Sequence, residues 1–204
     1  MCGRFTQTKS REKVLEELGG IELPPLFHGR YNIAPSQKVA IIRQPDADRA
    51  GECVWGFDHP QTGAPIINAR SETLGERAMF KDLTASNRCL IPADGFYEWK
   101  ERQPYYFQLP EKQLFAFAGL WRNDQCVIIT RAADQTMQAI HDRMPVILTP
   151  RQWKTWFEQF QIPAAPALIA RPVSRRVNKV KNDDSSCLNA AEVQTDLSLF
   201  PDNG

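Results

Sequence analysis

The residue with the most distinctive chemistry in this sequence is the cysteine at position 2, in the opening segment Met1-Cys2-Gly3-Arg4. If Met1 is removed, Cys2 carries an α-amine and a thiol on adjacent carbons, and this pair can condense with an aldehyde to an imine and then a thiazolidine ring. The ordinary pKa is about 7.7–8.0 for an α-amine and about 8.5 for a thiol, so both groups ionise near working pH. Taken alone, Met-Cys favours the simpler interpretation, in which Met1 is retained and Cys2 begins a strand.

The elements that must position Cys2 are mainly strands. Short segments rich in β-branched and aromatic residues are separated by turn-forming residues, and they are CGRFT, KVAIIRQ, ECVWGF, RCLIPAD, FYEWK, PYYFQL, LFAFAGLW, CVIITRAA and MPVILT. The segments FAFAGLW and CVIIT, joined by RNDQ, predict a hairpin. We therefore expect an α+β fold, a single domain over residues 1–204 built on a curled, mainly antiparallel, barrel-like sheet with peripheral helices.

Helices are few in this interpretation. Residues 8–18 have a Thr/Ser cap and end at a Gly-Gly pair, and residues 150–160 begin with proline and place four aromatic rings on one face. Residues 134–140 predict a short helix. The last residues, from about Asp196, are expected to form a flexible tail.

Composition narrows the class of protein. The chain has 204 residues, 42% hydrophobic residues and a formal net charge of +1, a composition typical of an ordinary globular domain, and we expect neither a signal peptide nor a membrane-spanning apolar run. Five cysteines without CxxC spacing argue against a disulfide framework or a zinc site. Cys53, Cys89 and Cys126 lie in apolar strand-like segments and are expected to be small core residues. We expect a reduced, cytoplasmic monomer without a metal or cofactor.

Six segments carry more polar residues than their apolar surroundings require: MCGRF at the start, then GRYNIAPSQ, INARSET, RCLIPADGFYEW, AIHDRMPVIL and RPVSRRVNKVKND. Their identity and order resemble the SOS response-associated peptidase (SRAP) family over Met1 to about Asn182. The resemblance implies a sensor of abasic sites in single-stranded DNA, whose N-terminal cysteine forms a thiazolidine crosslink with the ring-opened sugar and shields the lesion. Self-removal of Met1, weak lyase activity and nucleoid association after DNA damage would accompany that role.

Carried onto this chain, the resemblance implies Cys2 as the nucleophile, with Asn68, Glu98 and His141 around it. His141, with an ordinary pKa near 6.5, could protonate the sugar ring oxygen to release the aldehyde. A partly buried Glu98 could transfer protons during imine formation, and Asn68 could hold the amine or a sugar hydroxyl. The roles of Glu98 and His141 could be exchanged. Taken alone, His141 fits an ion-pair cluster, Glu98 an outward strand position and Asn68 a turn.

The DNA contacts follow from a second set of residues. The resemblance implies Arg4 and Arg70 most strongly as phosphate ligands, and the full predicted set is Arg4, Pro35, Arg70, Thr130, Arg143, Arg175 and Lys181. Such contacts give sequence-independent, salt-sensitive affinity. In one segment the chain departs from the family, whose members carry a longer loop with tryptophan after WGF. Here WGFDHPQTGAPIINAR has no such tryptophan, and Phe57, His59 or Pro60 could take its place.

Three other functions stay open at this level. The opening MCG is shared with class II glutamine amidotransferases, although their Arg-Gly-Pro-Asp segment is absent and the only Asn-Gly lies at Asn203-Gly204. A Cys/His/Asn set also fits a thiol peptidase. A DNA-binding module that retains Met1 would bind single strands without forming a covalent product.

Overall fold

A computed structural model describes residues 2–19, 21–24, 27–43 and 49–191, so the predictions for Met1 and for the tail from Asp196 lie outside the described residues. Strands dominate this part of the chain. They are β1 Phe5–Gln7, β2 Arg30–Ile33, β3 Lys38–Arg43, β4 Ala50–Trp55, β5 Phe57–Asp58, β6 Pro65–Ile66, β7 Asn68–Arg70, β8 Arg88–Ala93, β9 Gly95–Lys100, β10 Gln103–Gln108, β11 Phe115–Arg122, β12 Gln125–Ala132, β13 Arg143–Pro145, β14 Ile147–Leu148 and β15 Ile169–Pro172.

The larger sheet closes on itself. Its strand order is β13-β12-β4-β3-β8-β11-β14, and β11 also pairs with β12, so the strands from β12 to β11 form a ring. The predicted hairpin is confirmed, since β11 and β12 pair antiparallel with Gly119 opposite Ile128. Strand β12 also pairs in parallel with β4 and with β7. The curled, mostly antiparallel α+β fold is thus confirmed, and the parallel pairs are an addition to it.

A second sheet of five strands, in the order β15-β10-β9-β1-β2, carries the start of the chain. Strand β1 lies between β9 and β2, with Phe5 opposite both Phe96 and Ile33. The backbone N–H of Tyr97 extends this pairing by donating to the carbonyl of Arg4 at 2.9 Å. Cys2 precedes this interior strand by three residues, and the pairing of Arg4 and Phe5 therefore fixes its position.

The sequence predicted one continuous strand over MPVILT, and this prediction is wrong. The chain breaks at Val146, because β13 pairs with β12 whereas β14 pairs with β11. Val146 joins the two partners, as its N–H donates to Ile129 and its carbonyl accepts from Ala118. Residues after His141 are thereby held against the ring.

The three predicted helices exist but are shorter than expected, and they are α1 Arg11–Glu17, α3 Gln135–Gln138 and α4 Trp153–Gln159. A further short helix, α2 Leu83–Ser86, was not predicted. Ser10 caps α1, and the chain leaves this helix through Gly19 at a positive φ of 68°. Trp156 of α4 is fully buried, with the other three aromatic residues of that face packed around it. Within the described ranges, no helix is long and apolar enough to cross a membrane.

Cysteine burial agrees with the sequence. Cys53, Cys89 and Cys126 are free thiols in the core, as predicted. No group of three or more His, Cys, Asp or Glu side chains in the described part of the chain could hold a metal ion.

Gly95 in β9 provides a test of this packing. A Cβ added there would lie 2.0 Å from the Tyr106 hydroxyl, which is buried in contact with Thr6 at 3.0 Å. We expect Gly95→Ala to lower the free energy of unfolding by about 1–3 kcal/mol, because the ring cannot retreat from a packed core. Gly75→Ala is the matched control, since nothing lies within 4 Å of its Cβ position. Urea unfolding of both variants checks the difference, and equal stabilities would contradict it.

Candidate active site

Cys2 lies at the centre of the candidate site and is fully buried. Burial raises the pKa of its thiol well above the ordinary value, and the nearby carboxyl of Glu98 raises it further. The thiol is therefore protonated in this state, and a nucleophilic role requires a group that takes its proton.

Asn68 is joined directly to Cys2. Its Nδ2 donates to the Cys2 carbonyl at 3.0 Å. The parallel pairing of β7 with β12 sets this position, since Asn68 lies opposite Ile128 in that ladder. Asn68 Oδ1 is buried and has no hydrogen-bond partner within the described residues. A buried amide oxygen without a donor is costly, so this oxygen is available to a donor on a bound molecule.

Glu98 is 3% exposed, on the central strand β9 of the five-stranded sheet. Phe96, two residues earlier, belongs to the same core cluster as Cys2, and alternation places Glu98 on that face. Burial raises the pKa of Glu98 to about 7, and the charge of Asp142 raises it as well. A carboxyl with this pKa carries a proton in about half of the molecules at neutral pH and can act as an acid or a base.

His141 lies after α3, in a turn in which its N–H donates to the Met137 carbonyl at 2.8 Å. Its Nδ1 is 2.9 Å from an oxygen of Asp142, yet the same nitrogen accepts the N–H of Arg143 at 3.0 Å. Burial lowers the pKa of His141. Both observations favour a neutral ring with its proton on Nε2, because a nitrogen that accepts a hydrogen bond cannot also carry a proton. Asp142, the next residue, brings this turn close to Glu98.

Three predicted DNA ligands meet at one edge of the ring. Arg70 lies opposite Thr130 in the ladder between β7 and β12, and Arg143 Nη2 donates to the Thr130 carbonyl at 2.9 Å. Thr130 is fully buried, so its side chain cannot reach a DNA strand in this state. Arg70 is exposed, whereas the Arg143 guanidinium is also bound by Glu72. Sequence reasoning missed Glu72, although it lies in the INARSET segment.

Arg4, Arg175 and Lys181 lie along a second edge. Arg4 Nη1 donates to Asn32 Oδ1 at 2.7 Å and to the Val177 carbonyl at 2.9 Å. Arg175 begins the 3₁₀ turn Arg175–Asn178, and both Arg175 and Lys181 are exposed. Burial lowers the pKa of Arg4.

Asn32 and Asp183 hold this basic turn in place, and sequence reasoning assigned a role to neither. Asn32 is fully buried, and its Nδ2 donates to the carbonyls of Val177, Lys179 and Asn182 at 3.1, 3.1 and 2.7 Å. Asp183 accepts the backbone N–H of Asn32 at 2.8 Å. The polar residues of GRYNIAPSQ were a signal that could have pointed to this anchor.

The other predicted contacts are more dispersed. Pro35 is half-buried in the turn between β2 and β3, where Ser36 N–H donates to the Trp55 carbonyl at 2.8 Å. Phe57 is fully buried, with the Arg122 guanidinium 4.7 Å above its ring, so it cannot stack on a base without unpacking the core. The expectation for Phe57 is thus wrong, while Pro60 is exposed and His59 is half-buried.

A surface cavity lies beside the two residues that follow Cys2. This cavity of about 340 Å³ is lined by Gly3, Arg4, Trp99 and Asn178. The Trp99 indole N–H donates to Asn178 Oδ1 at 2.7 Å, and the Arg4 guanidinium lies 5.8 Å from the Trp99 ring centre. A cationic, aromatic-walled cavity suits an anionic ligand with a flat group.

Fold and site together define a class of α+β protein with a buried cysteine at the second position. An amide side chain is hydrogen-bonded to this cysteine, a protonatable carboxyl lies near it, and a turn close to that carboxyl carries a neutral imidazole. The family model described as SOS response associated peptidase (SRAP) matches residues 1–181. The chain belongs to the SRAP family.

Similar proteins agree with this assignment. The Bacillus subtilis abasic site processing protein YoqW is 40% identical, with 76% of this chain and 80% of the relative aligned. The Escherichia coli abasic site processing protein YedK is 34% identical, covering 92% of this chain and 99% of the relative. A solved structure from Bacteroides thetaiotaomicron, 19% identical, superposes with a TM-score of 0.76 over 94% of this chain and 100% of that structure, which shows the shared fold.

Proposed function

We propose that this protein processes abasic sites in single-stranded DNA by forming a covalent thiazolidine crosslink through Cys2 after Met1 is removed. The observation that carries the proposal is the contact of Cys2 with Asn68 at 3.0 Å beside a buried Glu98 whose pKa is about 7. The names of the similar proteins support abasic-site processing. A buried thiazolidine would shield the lesion from strand cleavage.

The reaction balances without a cofactor. The freed Cys2 amine adds to the ring-opened C1 aldehyde and gives a carbinolamine, which loses water to form the imine. The Cys2 sulfur then attacks the imine carbon while its proton moves to the imine nitrogen, so a C–S bond closes the five-membered ring. Each step moves a proton at a defined atom, which requires groups that both give and accept protons near pH 7.

The electrostatics support the exchanged assignment of acid and base. Glu98, with a pKa of about 7, supplies the proton that opens the sugar or expels water, because its protonated form is abundant at neutral pH. His141 is neutral, so its ring accepts protons rather than donating them at the start. Asn68 orients the backbone of Cys2 and offers its unpaired Oδ1 to the amine.

DNA binding in this proposal uses the two groups of basic residues described above. Arg70 and Arg143 contact phosphates at the edge of the ring, and Arg4, Arg175 and Lys181 contact them on the other edge. A strand held by several such contacts should bind with strong salt dependence and little sequence preference.

Intact-protein mass spectrometry tests the proposal, alone and after incubation with a single-stranded oligonucleotide carrying one abasic site. We expect loss of Met1 and a stable mass increase of one DNA strand minus one water, because imine formation expels water and ring closure expels nothing. An undamaged oligonucleotide of the same sequence is the control. Loss of Met1 without an adduct would contradict crosslinking and favour an amidohydrolase or peptidase. Retention of Met1 without an adduct would favour a simple DNA-binding module.

Two side activities belong to the proposal. Self-removal of Met1 requires one intramolecular turnover by Cys2. A variant in which Cys2 is replaced by a residue that aminopeptidases do not accept after methionine should therefore retain Met1. Weak lyase activity would arise because the imine also permits β-elimination of the 3′ phosphate. Both are measured in the same mass spectra, as a retained methionine and as shortened DNA fragments.

A further inference from the structure

The guanidinium of Arg143 is held by the carboxylate of Glu72. Arg143 Nη1 and Nη2 donate to the two Glu72 oxygens at 2.7 and 2.9 Å, in a fork-to-fork pair. Arg143 is 13% exposed and Glu72 is 49% exposed, so the carboxylate covers the outward side of the pair. Hydrogen bonds from Arg143 lower the pKa of Glu72 to about 2, which keeps the carboxylate ionised at neutral pH.

This ion pair lies next to His141 of the candidate site. Arg143 begins β13, and its backbone N–H donates to His141 Nδ1 at 3.0 Å. Arg70 lies across from Thr130, whose carbonyl binds the Arg143 guanidinium at 2.9 Å. Arg70 and Arg143 thus both lie next to Thr130 of β12, and Glu72 covers Arg143.

A carboxylate and a phosphodiester are both monoanions that accept two parallel N–H bonds from a guanidinium. Both Nη atoms of Arg143 are already donating to Glu72. The Nε side of this guanidinium is buried, so a phosphate can take the two-bond place at the Nη atoms only if Glu72 leaves it. Glu72 lies in the 3₁₀ turn Ser71–Thr73, half open to solvent, and its side chain is the partner with room to move.

Building on the proposed DNA-binding function, we propose that Glu72 occupies the place of a DNA phosphate on Arg143 and competes with the strand for it. Binding of single-stranded DNA exchanges one anion for the other. Glu72 thus lowers the affinity for undamaged and abasic strands alike, and the chemistry at Cys2 is unaffected by it.

The test is binding of an undamaged single-stranded oligonucleotide by fluorescence anisotropy over a range of salt concentrations. We expect Glu72→Gln to bind about three- to fivefold more tightly at low salt, the range set by an exposed ion pair. The slope of log affinity against log salt should change by less than about 0.7, the value for one added phosphate contact, because a phosphate occupies Arg143 in both bound proteins. The rate of adduct formation at saturating abasic DNA should equal that of the wild type.

Glu76→Gln is the matched control, since it removes the same charge from an exposed glutamate four residues further along. It should change the affinity less than Glu72→Gln does. In an Arg143→Gln background, Glu72→Gln should lose its effect, because the competed cation is gone.

Three results would overturn the competition. These are an equal gain in Glu72→Gln and Glu76→Gln, weaker binding by Glu72→Gln, and a Glu72→Gln effect that persists without Arg143. If the wild type binds no single-stranded DNA at all, the proposed function fails. If it binds and crosslinks while Glu72→Gln matches the control, only the competition fails.

Discussion

Replacing Cys2 with alanine should abolish the stable protein–DNA adduct. Alanine retains an N-terminal amine after removal of Met1 and can still form the imine, but it has no sulfur to close the ring. The imine then either hydrolyses or permits β-elimination, so we expect some strand cleavage and no product that survives denaturation. Denaturing electrophoresis of an abasic oligonucleotide after incubation with each protein measures both outcomes.

Reductive trapping separates the two chemical steps. Cyanoborohydride converts an imine to a stable amine, so it should restore a covalent product in Cys2→Ala. Cys53→Ala is the matched control, since it removes another buried thiol from the core and should leave the adduct intact. A normal adduct formed by Cys2→Ala without the reductant would contradict the thiazolidine mechanism.

Glu98→Gln should lower the rate of adduct formation by about 10²–10⁴-fold, the usual contribution of a positioned general acid or base. Glutamine keeps the shape of the side chain and cannot transfer a proton. In the wild type, the rate should fall as pH rises through about 7, because the protonated form of Glu98 is the acid. This decrease should be missing when the rate of adduct formation by Glu98→Gln is plotted against pH. Single-turnover rates measured between pH 5 and 9 check this prediction.

The same substitution has a defined effect on stability. The folded-state pKa of Glu98 is about 7 and the unfolded value is about 4.3, so the unfolded state releases its proton first as pH rises. Relative to the variant, the wild type should therefore lose stability as pH rises from about 4.3 to about 7, and this loss should stay constant at higher pH. At pH 8 we expect Glu98→Gln to have a free energy of unfolding about 3–4 kcal/mol higher than the wild type, and at pH 4 no gain.

Glu101→Gln serves as the control for both measurements. Glu101 is exposed in the turn after the same strand, so its replacement should change neither the rate profile nor the pH dependence of stability. A pH limb near 7 that persists in Glu98→Gln would assign the titration to another group. Equal stabilities of wild type and Glu98→Gln at pH 8 would contradict the buried, ionisable carboxyl.

Much of the fold follows from local patterns in the sequence. Alternating apolar residues around RNDQ predicted the β11–β12 hairpin, and Ser10 and Gly19 marked the ends of α1, because caps and turns depend on a few adjacent residues. The burial of Cys53, Cys89 and Cys126 followed from their apolar neighbours in the chain. The residues of the candidate site came from the resemblance of six polar segments, in their order, to the SRAP family.

Tertiary structure decided which of these residues meet. The break at Val146 and the parallel pairing of β7 with β12 depend on partners far away in the chain, and periodicity fixes the face of a strand but not its partner. Local alternation was compatible with a solvent-facing Glu98. In the structure, neighbouring strands on both sides of β9 and hydrophobic clusters on both faces of the sheet bury this side chain. Its pKa follows from that burial, and the pairing of Glu72 with Arg143 follows from the pairing of both β7 and β13 with β12. The sequence by itself determined which chemical groups are available, and only the packing decided their distances, their protonation and which of them are already engaged.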